Sequence, residues 1–167
     1  LRAVLILAEE RIMLQVIDLG NPEWLSELAD LEFPKAKAAL VAFVEVHAGD
    51  DALIAQLGDE LFFNDIGWEI FLEAELGIEL EGRLVGAFVR INRDNVVRLK
   101  EFINQLLVAC GSTYETHSYW GGTALAAMLE HEDLSEADLQ FVIDSRTNPD
   151  DLELSEEAEV RLEAMRE

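Results

Sequence analysis

Residues 68–76 alternate without a break: Trp68, Ile70, Leu72, Ala74 and Leu76 fall on one side, and Glu69, Phe71, Glu73 and Glu75 on the other. Successive side chains of a strand point to opposite faces, so this period of two predicts a half-buried β-strand. A half-buried strand constrains a fold strongly, because it needs partner strands and a second layer over its apolar face.

The flanking sequence offers both. Residues 39–47 form an apolar run rich in β-branched side chains, which reads as a strand. Gly49-Asp50-Asp51 supplies a turn and a helix cap, and residues 52–63 supply the helix. After Gly82-Arg83, residues 84–91 read as a third strand. Asn92 or Asp94 then caps a helix over 95–109, whose Val96, Val97, Leu99, Phe102, Ile103, Leu106, Leu107 and Cys110 share one apolar face. Gly111 ends that helix. Residues 112–120 read as extended, closed by Gly121-Gly122. Strand, helix, strand, strand, helix, strand is the split βαβ order of an α+β, ferredoxin-like domain, an antiparallel sheet with helices on one face.

The expected organisation is therefore a ferredoxin-like core over 36–122, an N-terminal extension over 1–33 and an acidic helical extension over 123–167. In the first extension, Val4-Leu5-Ile6-Leu7 and the apolar run from Ile12 to Ile17 fit a hairpin or a helix equally, and Asn21-Pro22 opens a short helix. In the last, residues 123–132 read as a short helix. Ser135 caps a helix over 136–145 with Asp138 at its third position, and Ser155 caps a helix running to the end.

Charge narrows the function classes. Thirty-five acidic residues against twelve basic ones give a net charge of −23. So many carboxylates repel nucleic-acid phosphates and anionic membranes, so neither is an expected partner. The longest apolar runs fall far short of the roughly 20 residues a membrane helix needs. No signal-peptide pattern is read at the N-terminus, so a cytoplasmic location is expected. Cys110 is the single cysteine, which excludes an internal disulfide and a multi-cysteine metal cage.

The acidity is uneven. Between residues 130 and 167 fourteen acids face only Arg146, Arg161 and Arg166, whereas Arg83, Arg90, Arg93, Arg98 and Lys100 make residues 83–100 locally basic. This asymmetry favours a docking surface for a basic protein, built from residues such as Glu153, Glu156 and Glu157. The open face of the expected sheet is a second candidate surface, carrying Phe43, Glu45 and His47 on one strand, Phe88 and Arg90 on another and Phe71 at the edge. Trp120 is a candidate anchor, because buried aromatics dominate interface energies. The N-terminal segment or the C-terminal helices packing there as a third layer, or a homodimer, are the alternative occupants of that face.

No Gly-rich phosphate loop, G-x-S-x-G or Cys-x-x-Cys occurs, and no catalytic residue, cofactor or metal site is expected. Glu130-His131-Glu132-Asp133 has metal-ligand residue types, but adjacent helix positions diverge. Gly111, followed by Tyr114-Glu115 and then Trp120-Gly121, loosely resembles a segment of small acidic ferredoxin-like inhibitors of an endoribonuclease, in which a helix-ending Gly leads into Tyr-Asp-Gly-Trp-Gly. Here four residues separate Glu115 from Trp120. The resemblance implies an inhibitor of a nucleic-acid-processing enzyme.

The expected function is thus a non-enzymatic, acidic regulator of a basic protein partner. One rival is a small-ligand binder or hydrolase built where Glu45, His47, Arg90 and His117 converge. The other is acidity that serves only adaptation to salt.

Overall fold

The computed structural model describes residues 4–7, 12–110, 119–145 and 152–167. The ferredoxin-like sheet is not there. The described residues form nine helices and one two-stranded ribbon, β1 (Val4–Leu7) and β2 (Ile12–Gln15), paired antiparallel with Leu5 opposite Leu14. All three internal strands expected of the core are helices. The chain divides into two compact units, Leu1–Ile91 and Asn92–Glu167.

In the first unit, α1 (Trp24–Ala29) is followed by α2 (Phe33–Val46), which replaces the strand expected over 39–47. Pro34 lies in the first turn of α2, where a missing N–H costs nothing. Ala36, Ala39, Leu40, Phe43 and Val44 are its buried residues, spaced at three and four. The β-branched content that suggests a strand comes from Val41 and Val46, which lie off that face, and from Val44 on it. α3 (Asp51–Phe62) begins where the capping chemistry places it: the Asp50 carboxylate accepts from the Leu53 N–H at 3.1 Å.

The alternating segment lies mostly in α4 (Asp65–Glu73), capped by Asn64, whose side chain accepts from the Ile66 N–H. Its buried residues are Gly67, Trp68, Ile70 and Phe71, and Ala74 follows at the C-cap. Phe71, on the polar side of the alternation, is 1 % exposed. The chain then turns through Glu75 and Gly77, both at positive φ (52° and 87°), the second at the residue that tolerates it best. α5 (Ile78–Ile91) runs through the expected turn at Gly82-Arg83 and the third expected strand, burying Leu80, Leu84, Val85, Ala87 and Phe88.

The core of this unit is aromatic. Phe62 is fully buried and its ring lies 5.3 Å from Phe71 and 5.6 Å from Phe88, both edge-on, and 5.5 Å from Trp68. Edge-to-face pairs add about 0.5–1.5 kcal/mol each beyond area burial. The Trp68 indole N–H donates to the Phe62 carbonyl at 2.6 Å, so the ring is buried without an orphaned donor. Gly67 allows α4 to approach α3: a Cβ there would stand 2.5 Å from the Leu61 Cα. α3 packs on α4 and α5, α1 packs on α2 and α4, and β2 lies against α2.

The second unit holds α6 (Val96–Cys110), α7 (Tyr119–Leu129), α8 (Glu136–Asp144) and α9 (Leu152–Met165). Asn95 caps α6, its side chain accepting from the Arg98 N–H at 3.1 Å. Ser135 and Asp138 form a reciprocal capping box at α8. Leu99, Phe102, Ile103 and Leu106 of α6, Ala124, Leu125 and Met128 of α7, and Ala158 and Leu162 of α9 are buried. α9 starts three residues before Ser155, which is buried inside the helix rather than capping it.

Candidate functional site

α9 carries the densest unneutralised charge among the described residues. Its buried side, Ser155, Ala158 and Leu162, faces the rest of the second unit, where α9 packs on α7 and α8. At helical spacing this sets Glu153, Glu156, Glu157, Val160 and Glu163 along the opposite side, and all five are exposed. Val160 is 68 % exposed, an aliphatic side chain amid four carboxylates. Glu159 is exposed on the flank. Like charges at i, i+4, such as Glu153 with Glu157 and Glu159 with Glu163, each cost about 0.2–0.5 kcal/mol.

Nothing among the described residues neutralises this face. The basic residues of 83–100 are engaged elsewhere. Arg90 pairs with Asp51 at 2.7 Å, Arg93 with Glu130 at 3.3 Å, Arg98 with Glu101 at 2.6 Å and Lys100 with Asp138 at 2.9 Å. The arginine of α9 that reaches its neighbours turns inward: Arg161 donates to the Leu129 carbonyl at 2.9 Å and to the His131 carbonyl. It thereby satisfies acceptors that the C-terminus of α7 leaves open.

The hydrogen bonds around Asp138 set its charge. Burial opposes ionisation, but hydrogen bonds from Lys100 and Ser135 together outweigh it and hold the carboxyl below its ordinary range. Hydrogen bonds from Arg90 likewise hold Asp51 low.

The residues expected on a sheet face are dispersed. Phe43, Phe71 and Phe88 are core side chains of α2, α4 and α5. Trp120 is buried at the start of α7 in the other unit, its ring 5.2 Å from Tyr119, and so presents no exposed anchor. His47 ends α2 with its ring 4.5 Å from Phe43. Arg90 is bound to Asp51, and no hydrogen bond or ion pair links it to Glu45 or His47. Glu45 is exposed on α2 at the edge of a cavity. His117 and the segment from Gly111 to Ser118 that carries the inhibitor resemblance lie outside the described residues, and Tyr119 and Trp120 open a helix rather than continue a strand.

His131 is a structural residue: its Nε2 donates to the Arg93 carbonyl at 2.6 Å. Among the described residues no group of His, Cys, Asp and Glu side chains is arranged to hold a metal ion, and no helix is long and apolar enough to cross a membrane. The residues that sequence reading passed over are Lys37 and Glu79, which line the cavity beside Glu45 together with Arg83, read there only as part of the basic stretch. Their signal is the four-residue spacing Lys37-Val41-Glu45 and Glu79-Arg83, legible only when both segments are read as helices. No family model matches the chain, and neither a curated protein nor a solved structure does.

Proposed function

We propose that the chain is a non-enzymatic, cytoplasmic binding protein that docks on a basic protein partner through the outer face of α9. The observation that carries this reading is the row Glu153, Glu156, Glu157 and Glu163, exposed and without a cation within ion-pair distance among the described residues. The arrangement costs folding energy through like-charge repulsion, and a basic surface laid against it turns that cost into attraction. Val160 supplies apolar area that such a contact covers. A partner that normally grips phosphates, such as a nucleic-acid-processing enzyme, presents the matching basic groove, with the carboxylates standing where phosphates lie.

Affinity capture at low ionic strength tests the reading. Bound proteins should be basic and should elute at moderate salt, because steering and attraction between exposed charges are screened within a Debye length of about 8–10 Å near physiological salt. Partners that are acidic, or that stay bound in high salt, contradict it.

A further inference from the structure

In the first unit, α2 and the start of α5 border an open cavity of about 420 Å³. Its size is that of a small-ligand site. On α2 the lining residues Lys37, Val41 and Glu45 stand at four-residue intervals on one face, a cation and a carboxylate two turns apart with an aliphatic side chain between them. Eight residues of helix separate the backbone positions of Lys37 and Glu45 by about 12 Å along the axis. On the other wall Ile78 and Leu80 supply aliphatic surface, and Glu79 and Arg83 repeat the two signs of charge.

Two facts show that these charges do not pair with one another. Glu79 and Arg83 are four apart on α5 with the acid N-terminal, the favoured order for a helical ion pair, yet they make none. Arg83 reaches across to the Val44 carbonyl instead, at a long 3.4 Å. Lys37 and Glu45 likewise have no hydrogen bond or ion pair among the described residues. Ile78 is 62 % exposed, so the aliphatic wall is uncovered as well.

We propose that this cavity binds a short apolar peptide with free termini. The charged lining sums to zero, so a simple anion meets two cations and two carboxylates, and a simple cation does no better. A zwitterion with an aliphatic middle pairs one of its charges with Lys37 and the other with Glu45. The 12 Å between these positions selects length: three extended residues span about 10–11 Å and a hydrogen bond of about 2.8 Å at each end closes the gap, whereas a single amino acid falls short. The peptide carboxylate lies toward Lys37, its ammonium toward Glu45, and its central side chain against Val41 and Ile78. This site is independent of the acidic face of α9.

Isothermal titration of the whole chain with Ala-Leu-Ala, paired with amide shift mapping, tests it. Binding should perturb the amides of Val41 and Ile78. Acetylating and amidating the peptide's termini should weaken binding about tenfold or more, and free leucine should be weaker still. Lys37→Gln and Glu45→Gln, which alter side chains outside the packed core, should each weaken the tripeptide while leaving the helical circular dichroism unchanged. Absence of binding at millimolar peptide overturns the proposal. So does equal affinity for the blocked peptide or for leucine, or indifference to both substitutions.

Discussion

Arg90, one residue before the end of α5, grips Asp51, the first residue of α3, at two points: Nε to Oδ2 at 2.7 Å and Nη2 to Oδ1 at 3.0 Å. The two residues are 39 positions apart in sequence, and the pair fastens one end of the α3–α5 contact that anchors the first unit. Both side chains are about half exposed, so a fork of good geometry is worth only about 0.2–1 kcal/mol. Asp51→Asn is expected to lower stability by that small amount in urea unfolding and by less in high salt. Hydrogen bonding to Arg90 depresses the folded-state pKa of Asp51, so this contribution is present above its ordinary value of 3.8 and is lost as pH falls through the folded one.

A larger pH-linked effect is expected at Asp138, which joins Lys100 to the α8 capping box. Asp138→Asn and Ser135→Ala should each cost about 1 kcal/mol at neutral pH. The deficit of Asp138→Asn should shrink on acidification below the ordinary carboxyl value of 3.8 and vanish as pH falls through the lower folded-state value, where the wild-type carboxyl also protonates. Hydrogen exchange should show faster opening of α8 in both variants, with the first unit unaffected.

The aromatic core should be the least tolerant part of the chain. Phe62→Ala removes a fully buried ring that touches Trp68, Phe71 and Phe88, and is expected to cost about 3–5 kcal/mol. Gly67→Ala should cost about 3 kcal/mol or more, because the added Cβ meets the backbone of Leu61 rather than a side chain that can swing away. Trp68 fluorescence follows both unfolding transitions.

Neutralising the face of α9 should stabilise the fold. Glu163→Gln removes a carboxylate from the last turn, where it opposes both the helix dipole and Glu159, and should raise stability by a few tenths of a kcal/mol. Adding KCl should raise the melting temperature of the wild type modestly, with most of the gain made by about 0.5 M as the repulsion is screened. A gain that continues steeply to molar salt is the signature of a salt-adapted chain and would replace docking as the reason for the acidity.

Local chemistry was legible in the sequence and long-range periodicity was not. Asp50 and the Ser135–Asp138 box act within four residues, and each sits where its side chain satisfies a backbone N–H; the cap of α6 is Asn95 rather than the expected Asn92 or Asp94. The alternation over 68–76 misleads because a helix buries Trp68, Ile70 and Ala74 as readily as a strand does. Only Phe71, one turn after Trp68 and fully buried, separates the two periods, and it is one residue among nine. Alanine in α2 carries the same lesson: Ala36 and Ala39 are buried at helical spacing, but a small residue gives little weight to a hydrophobic pattern beside Val41, Val44 and Val46. Once those segments are misassigned, Phe43, Phe71 and Phe88 move from core to surface and the sheet-face site appears. The α9 carboxylates survive the change of fold because their exposure follows from charge, not from topology.

The docking role of α9 is tested most directly by comparing two variants that each lose three negative charges. One carries Glu153→Gln, Glu156→Gln and Glu157→Gln on α9; the other carries Glu69→Gln, Glu73→Gln and Glu75→Gln, exposed acids in and just after α4. The affinity of each for the basic partner captured at low salt is then measured against wild type. The α9 variant should lose about tenfold or more in affinity while the control stays within about twofold. Equal losses in the two variants would show that only net charge matters and would contradict a docking face on α9.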